Sequence, residues 1–267
     1  MSEKANEQHF ERKHPVQQSL KDTFRAQNGE DRWLDNLFGH KRNGFFVEVG
    51  AFDGINLSNS YHFEQIGWTG VLIEPDPDKA ALCRSNRPGS KTYQCAAAGS
   101  PEISEVTFFR VESGEVFSTT KLTSDHARRI DHMGLASIPI SVPARTLDTI
   151  LQEAGAPAID FVSIDVEGAE TEVLRGFDIR RWKPAIVVIE SNSKFRLPEV
   201  RDYFTSNGYA FRCSIDVNDF YLRVDPGPVP AWAIDAAYYA WRRVNRRISK
   251  LAHNIRRSWN KRRGRKT

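Results

Sequence analysis

Short apolar runs alternate with segments of helical periodicity along most of the chain. The first two runs, FFVEV at Phe45–Val49 and GVLIEP at Gly70–Pro75, are each followed by a helix-like segment. Short buried runs separated by helices are typical of βαβ units, whose strands lie parallel. The pattern therefore predicts an α/β fold with a doubly wound, mostly parallel sheet.

The same pattern places the remaining elements. Further strands are predicted over residues 91–99, 105–111, 136–144, 159–168 and 183–191, and helices over 27–38, 58–67, 76–86, 146–155, 169–177 and 196–208. A short turn joins the last two strands, Tyr209–Cys213 and Asp219–Val224, so they must run antiparallel. The polar segment 112–137 is predicted to fold over the site as a lid.

Composition changes divide the chain into three parts. Residues 1–25 are polar, and residues 26–226 carry the strand and helix pattern. The sequence DPGPVP at Asp225–Pro230 is a stiff break. Residues 231–267 then form a basic segment, for which the pattern predicts an amphipathic C-terminal helix.

The cysteines and the N-terminus indicate a compartment. Cys83, Cys95 and Cys213 form no CxxC pair, so we expect a reducing, cytoplasmic setting. The N-terminal residues hold no apolar core of a signal peptide, and no run approaches the ~20 apolar residues of a membrane span. We expect the protein to be soluble, or at most peripheral at the inner face of a membrane.

The loop after the first strand is the first candidate binding site. FFVEVGAFDG ends in Glu48, Gly50, Asp53 and Gly54, and ligands of such sheets bind where the carboxyl ends of the strands open. The two glycines allow the backbone to turn closely against a bound group. A plain strand-to-helix turn is the structural alternative.

Glu74 favours a nucleoside ligand. It ends the second strand twenty residues after Gly54, where an acid is expected to hold ribose hydroxyls. The loop departs from G-x-G-x-x-G because Phe52 stands where a pyrophosphate needs bare backbone. S-adenosylmethionine, with a ribose and an adenine but no phosphate, fits this loop better than a dinucleotide does.

Several longer motifs together carry a family resemblance. QNGEDRWLDNLF, GFFVEVGAFDG, LSNSYHFEQIGWTGVLIEPDP, TLD and IDFVSIDVEGAETEVLRGF occur in this order within residues 27–224. The chain resembles the FkbM-type S-adenosylmethionine-dependent methyltransferases. The resemblance implies a class I methyltransferase (Rossmann-like) fold with a seven-stranded sheet and an antiparallel last strand. It also implies methylation of hydroxyl groups, often of sugars or natural products.

The resemblance also implies a set of cofactor-binding residues. The methionine end would be held by the loop after the first strand, the ribose at the end of the second, and the adenine beside the third. The set comprises Glu48, Gly50, Ala51, Asp53, Gly54, Asn59, Glu74, Pro75, Ala97 and Asp165, with Ala98 beside Ala97.

Acids at the ends of two later strands are the candidate catalytic residues. Methyl transfer to an alcohol needs alignment and removal of a proton, which Asp165, Glu167 or Glu190 can accept. For Glu167 the alternative is an ordinary charge at a helix N-terminus. His62, His126 and His132 are further candidate bases, and Ser118, Thr119 and Thr120 are candidate sugar contacts.

A magnesium site is a second interpretation of the same strand ends. Asp165, Glu190 and Asn192 resemble the oxygen ligands of magnesium-dependent catechol-type methyltransferases. A bound Mg²⁺ would lower the pKa of the acceptor hydroxyl.

The basic segment differs in charge from the rest of the chain. Residues 241–267 hold 12 Lys/Arg and no Asp/Glu, which leaves 26 basic and 34 acidic residues in the first 240. Apolar residues at 234, 238, 241, 244, 248, 251, 255 and 259 form one helical stripe. The stripe suits an anionic membrane surface, a coiled-coil or docking contact such as a homo-oligomer, or nucleic acid.

These observations favour an S-adenosylmethionine-dependent O-methyltransferase. Its expected acceptor is a small molecule or a glycan, with a sugar hydroxyl of a glycan, glycolipid or natural product as the target. A nucleic-acid methyltransferase is the first alternative, although the N/D-P-P-Y/F/W motif is absent. A non-catalytic binding module that uses the basic segment is the second, although the intact glycine loop argues against it.

Overall fold

The computed structural model of the chain describes residues 23–191 and 198–224. The strands are β1 (Phe45–Val49), β2 (Thr69–Ile73), β3 (Lys91–Tyr93), β4 (Ala96–Ala97), β5 (Glu105–Val111), β6 (Ser137–Arg145), β7 (Phe161–Ile164), β8 (Ile186–Glu190), β9 (Tyr209–Ile215) and β10 (Asn218–Arg223). The helices are α1 (Glu30–Leu37), α2 (Tyr61–Gln65), α3 (Pro77–Asn86), α4 (Ser124–His132), α5 (Leu147–Ala154), α6 (Glu170–Arg175), α7 (Ile179–Trp182) and α8 (Pro198–Ser206). A 3₁₀ turn spans Glu115–Phe117.

Seven strands form the main sheet in the order β3-β2-β1-β7-β8-β10-β9. Neighbours are parallel except β10, which is antiparallel to both β8 and β9. This confirms the predicted mostly parallel sheet with an antiparallel last strand. The strand order reverses between β1 and β7, and ligands of doubly wound sheets bind at such a switch point.

The core lies on both faces of this sheet. Along β1, Val47 faces one apolar cluster and Phe46 faces the other, and both side chains are fully buried. Burial on both faces explains why the parallel strands are nearly continuous apolar runs. Glu48, a buried carboxylate near the end of β1, is the exception and marks the site.

A second, three-stranded sheet covers the carboxyl ends of the main one. β6 pairs in parallel with β4 and antiparallel with β5. We call residues 105–145 the cap. The sequence predicted one strand over 91–99, but the structure divides it. β3 pairs with β2 of the main sheet, and β4 pairs with β6 of the cap. The chain therefore leaves one sheet for the other within a few residues.

Three other parts of the chain differ from the prediction. The helix predicted over 58–67 is only Tyr61–Gln65, because residues 58–60 are hydrogen-bonded to Glu48 instead. The polar segment 112–137 contains the 3₁₀ turn and α4. Helix α7 was not predicted.

Most of the polar segment 1–25 and all of the basic segment lie outside the described residues. Of the first, residues 23–25 pack on the domain, with Phe24 stacked on His62 at 3.9 Å. The predicted helix over 231–267 falls outside the described residues. Within the described ranges no helix has the length and apolar character needed to cross a bilayer.

Candidate active site

A pocket opens at the carboxyl ends of β1, β2 and β7 and is walled by two parts of the chain. The main sheet supplies Gly50, Glu74 and Asp165, and the cap supplies Ser118 and Thr119. Other lining residues are Ala51, Phe52, Asn59, Pro75, Ala97, Phe108, Val116, Thr120 and Glu167. The loop after β1, predicted as the binding site, and the predicted lid therefore line one cavity.

Gly50 can only be a glycine. Its φ is +85°, and a Cβ at this position would lie 1.8 Å from the carbonyl oxygen of Asp165. Its amide donates to Ile73 O at 2.9 Å, which holds the loop against β2 as well. The loop after β1 thus lies directly on the turn after β7, and this close approach forms the floor of the pocket.

Glu74 occupies the predicted place at the end of β2. Its carboxylate accepts from the amides of Phe52 and Asp76, each at 2.9 Å. Burial, the main cause, raises the pKa of Glu74 to about 8. The side chain lines the pocket, so the structure places this acid where the ribose contact was predicted.

Glu48 lines the pocket and also organises a neighbouring turn. Its carboxylate accepts from the hydroxyls of Ser58 at 2.8 Å and Ser60 at 2.6 Å, and from the Asn59 amide at 2.8 Å. The side-chain amide of Asn59 donates to Ser163 Oγ at 3.0 Å. Glu48 therefore fixes Asn59 at the pocket wall.

Asp53 and Gly54 do not line the pocket. Asp53 accepts from the amides of Ile55 at 2.9 Å and Asn56 at 2.8 Å, so it shapes its own turn. Gly54 has a φ of +79°, and its Cα faces the Arg87 side chain behind the loop. Direct contact of these two residues with a cofactor stays a prediction, as it does for Ala98, which also lies outside the lining.

The three predicted catalytic acids come together. Asp165, Glu167 and Glu190 each place a carboxylate oxygen within 4.8 Å of the others. Asp165 and Glu167 line the pocket, whereas Glu190 is buried and does not. The chain thus gathers three carboxyl groups from the ends of β7 and β8.

This proximity separates the protonation states of the acids. Burial and the charge of Asp165 raise the pKa of Glu190 far above its ordinary range, so its carboxyl is protonated and hydrogen-bonded to Asp165. Desolvation of the carboxylate, the main cause, raises the pKa of Asp165 to about 6, and that hydrogen bond opposes the rise. Burial raises the pKa of Glu167 to about 8. At neutral pH, Asp165 is the ionised member of the pair.

The predicted magnesium ligands are only partly described. Asp165 and Glu190 belong to the carboxylate cluster, but Asn192 lies outside the described residues. The cluster has enough oxygen donors for a hard divalent cation. The magnesium site stays a prediction.

Three of the eight non-glycine residues with left-handed backbone in the described structure line the pocket. Phe52, Leu57 and Glu167 line it and have φ values of +52°, +63° and +51°. Left-handed backbone in non-glycine residues costs about 1–3 kcal/mol each and clusters at functional sites. The sequence signalled none of these three positions.

Two anchors of the cap were also missed. The Thr119 hydroxyl donates to the carbonyl oxygen of Glu167 at 3.0 Å, and Arg110 pairs with Asp76 at 2.7 Å and Asp78 at 3.1 Å. The polar run at 118–120 suggested contacts with an acceptor, but no local pattern indicates these long-range partners. These bonds hold the cap against Glu167 and Asp76, which both line the pocket.

The candidate histidine bases lie elsewhere. His62 Nδ1 is 2.6 Å from the Thr23 hydroxyl, and its ring is buried under Phe24. His126 Nε2 is 2.7 Å from the carbonyl oxygen of Phe117. Neither these two nor His132 lines the pocket, so among the described residues the carboxylates are the better candidate bases.

Known methyltransferases are similar to this chain in sequence. A curated relative, the 2-O-methyltransferase NoeI of Sinorhizobium fredii (strain NBRC 101917 / NGR234), is 29% identical over 139 residues, which cover 49% of this chain and 56% of that protein. The 31-O-demethyl-FK506 methyltransferase FkbM of Streptomyces tacrolimicus is 28% identical over 156 residues, which cover 51% and 60%. The chain thus spans little more than half the length of these relatives.

Solved structures are similar at lower identity. The methyltransferase FkbM from Methylobacillus flagellatus KT is 17% identical with a TM-score of 0.42, covering 68% of this chain and 44% of that one. A methyltransferase from Geobacter sulfurreducens is 12% identical with a TM-score of 0.42, covering 79% and 89%.

The family model described as the methyltransferase FkbM domain matches residues 48–211, which run from the end of β1 into β9. The match includes the glycine loop, Glu74, the cap and all three acids of the cluster. Family membership implies S-adenosylmethionine as the methyl donor, and the strand order of the main sheet is that expected of a class I methyltransferase. The chain belongs to the FkbM family of methyltransferases.

Proposed function

We propose that the chain methylates a hydroxyl oxygen of an uncharged, sugar-like acceptor in a glycan, a glycolipid or a natural product. The observation that carries this proposal is the position of Asp165, which lines the pocket while the buried Glu190 carboxyl lies within 4.8 Å of it. It lies on the turn against which the glycine loop packs, so base and cofactor loop share one wall.

The described residues suit S-adenosylmethionine. The loop at Gly50 exposes backbone for a close approach, Glu74 would hold the ribose hydroxyls, and Ala97 would border the adenine. The cofactor, when bound, supplies a methyl group on a positively charged sulfur. The lining favours that charge, because Glu48, Asp76 and Asp165 outnumber Lys79, the one basic side chain among its described residues. Glu74 and Glu167, whose pKa is raised to about 8, add little negative charge at neutral pH.

Asp165 is suited to accept the acceptor's proton. A general base works best when its pKa approaches the operating pH, and the pKa of Asp165 is raised to about 6. The hydrogen bond from Glu190 holds the Asp165 carboxylate in one orientation. Glu167 stands beside it at the pocket wall and is positioned to contact the acceptor.

The cap favours a hydroxyl-rich acceptor without negative charge. Ser118, Thr119 and Thr120 line the pocket. The Thr119 hydroxyl is buried and bonded to Glu167 O, so the hydroxyls of Ser118 and Thr120 are the ones that would contact a sugar. A phosphate or carboxylate on the acceptor would meet the charge of Asp165. The names of the two curated relatives specify transfer to oxygen, which supports a hydroxyl as the target.

The test is methyl transfer from labelled S-adenosylmethionine to matched acceptors. Neutral oligosaccharides and glycolipids would be compared with their phosphorylated counterparts, with and without EDTA. We expect label in a base-stable ether of the neutral acceptors. Label confined to phosphorylated acceptors or to nucleic acid would contradict the proposal, and loss of transfer in EDTA would support the predicted magnesium site.

The basic segment would bring the enzyme to lipid-linked acceptors. This membrane-delivery prediction rests on the sequence, because residues 231–267 lie outside the described structure. Liposomes with anionic lipid should bind the full chain and should not bind the chain that lacks 231–267. Equal liposome binding by both chains would contradict this prediction. A homo-oligomer that forms only with the full chain, while neither chain binds liposomes, would contradict it as well.

A further inference from the structure

Arg87 is a fully buried charged residue that the proposed reaction does not use. It directly follows α3, its exposed fraction is 0%, and it does not line the pocket. Burying a guanidinium is costly unless its charge is balanced and its N–H groups are bonded. The partners of those N–H groups therefore show what this costly group holds in place.

The guanidinium joins the loop after β1 to the turn before α2. Nη1 donates to the carbonyl oxygen of Gly54 at 2.8 Å, and Nη2 donates to the Ser60 hydroxyl at 3.0 Å. Nε donates to Glu64 at 2.9 Å, and this ion pair balances the charge. One side chain thus fixes two separate pieces of the pocket rim from behind.

The hydrogen-bond network of Arg87 extends to Glu48, the buried acid of β1. The hydroxyls of Ser58 and Ser60 donate to Glu48, and both accept from Arg87, at 3.4 and 3.0 Å. Asn59, between the two serines, lines the pocket. Arg87 and Glu48 therefore clamp this turn from opposite sides, and the turn presents Asn59 to the cavity.

Gly54 leaves the space that the Arg87 side chain occupies. A Cβ at Gly54 would lie 2.9 Å from Arg87 Cγ and 3.3 Å from the Cα of Cys83, in a backbone with a φ of +79°. This explains a glycine that the motif places in the cofactor loop although it does not reach the pocket. Gly54 therefore contributes to the site indirectly, by allowing Arg87 to pack against the loop.

We propose that Arg87 is a positioning residue for cofactor binding, which holds the loop at 50–54 and the turn at 58–60 in the shape that receives S-adenosylmethionine. The inference rests on the proposed function, because the ligand is the same. It assigns to Arg87 a role in affinity and not only in folding.

The experiment is calorimetric titration of S-adenosylhomocysteine into the full chain and three variants. Arg87→Lys keeps a positive charge beside Glu48 but cannot bond both loop and turn, and Arg87→Met removes the charge. Arg84→Met changes an exposed arginine of α3 and is the matched control. We expect affinity to fall at least about 10-fold in Arg87→Lys, to fall further in Arg87→Met, and to stay unchanged in the control.

Amide hydrogen exchange separates positioning from general destabilisation. In Arg87→Lys the amides of residues 50–60 should exchange faster, while those of β7 and β8 keep their protection. If Arg87→Met does not fold, the double variant Arg87→Met with Glu64→Gln removes both charges of the buried ion pair, leaves the pocket lining intact and should still bind at least about 10-fold more weakly.

Two results would overturn the inference alone. One is binding within twofold of the unaltered chain in folded Arg87 variants. The other is a loss of affinity that accompanies faster exchange throughout the main sheet. Absence of binding to the folded, unaltered chain would instead contradict the proposed function, and this inference with it.

Discussion

The two walls of the pocket are built in different ways. The wall from the main sheet consists of strand ends, where Gly50 presses on the backbone of Asp165 and Glu74 accepts two amides. The wall from the cap consists of β5 and part of the long connection from β5 to β6, anchored by Arg110 and Thr119. The difference suggests that the sheet fixes the cofactor's position, while the cap can vary to select the acceptor.

The largest effect should come from the sheet wall. Gly50→Ala must both adopt a left-handed backbone and place a Cβ against Asp165 O, so we expect a loss of about 3 kcal/mol or more in unfolding free energy. S-adenosylhomocysteine binding should be abolished. Denaturant unfolding and calorimetry would measure both.

Gly155→Ala is the matched control for this substitution. Gly155 has a φ of +62°, but nothing lies within 4 Å of the position of an added Cβ. It should cost only about 1–2 kcal/mol and leave binding intact. Equal effects at the two glycines would show that close packing of the loop on β7 is unimportant.

The second-largest effect should come from Asp165, the proposed base for methyl transfer. Asp165→Asn should reduce methyl transfer to the neutral acceptor of the labelling assay by at least about 100-fold, because the base is lost. S-adenosylhomocysteine affinity should change much less. Asp202→Asn, at an exposed side chain of α8, is the control.

The same group predicts a pH dependence. Because the pKa of Asp165 is raised to about 6 in the folded chain, its base form is lost as pH falls through 6. Transfer by the unaltered chain should therefore drop below that pH, and the residual transfer of Asp165→Asn should not. A profile that is flat from pH 5 to 8 would exclude Asp165 as the base.

The smallest effect should come from the cap wall. Thr119→Val removes the hydrogen bond to Glu167 O and should cost about 1–2 kcal/mol of stability. Transfer should fall while S-adenosylhomocysteine affinity stays within about threefold, and Thr119→Ser should restore transfer. Equal loss of cofactor affinity would mean that the two walls are not separable.

The sheet wall was largely predictable because its signals are local. An apolar run, a following glycine and an acid at the next strand end identified Gly50 and Glu74, and strand ends identified Asp165. Glu190 lies at the end of β8, next to Asp165, but its place behind the pocket wall depends on burial, which no sequence pattern gives.

The cap and the supports of the site were not predictable in the same way. Arg87 and Arg110 bond to residues 20 or more positions away, and such pairs leave no periodic signal. The division of residues 91–99 between two sheets depends on β6, which follows about 40 residues later. Asp53 and Gly54 matched the family motif, yet in the structure they support the loop from outside the pocket.

The most direct test of the central claim is calorimetric titration of S-adenosylhomocysteine into the unaltered chain and Glu74→Ala, with Glu199→Ala at an exposed site of α8 as the control. The account predicts micromolar binding by the unaltered chain and the control, and at least about 10-fold weaker binding by Glu74→Ala. Equal binding by all three chains would contradict the ribose contact at Glu74. No binding to the folded, unaltered chain would contradict the cofactor site itself.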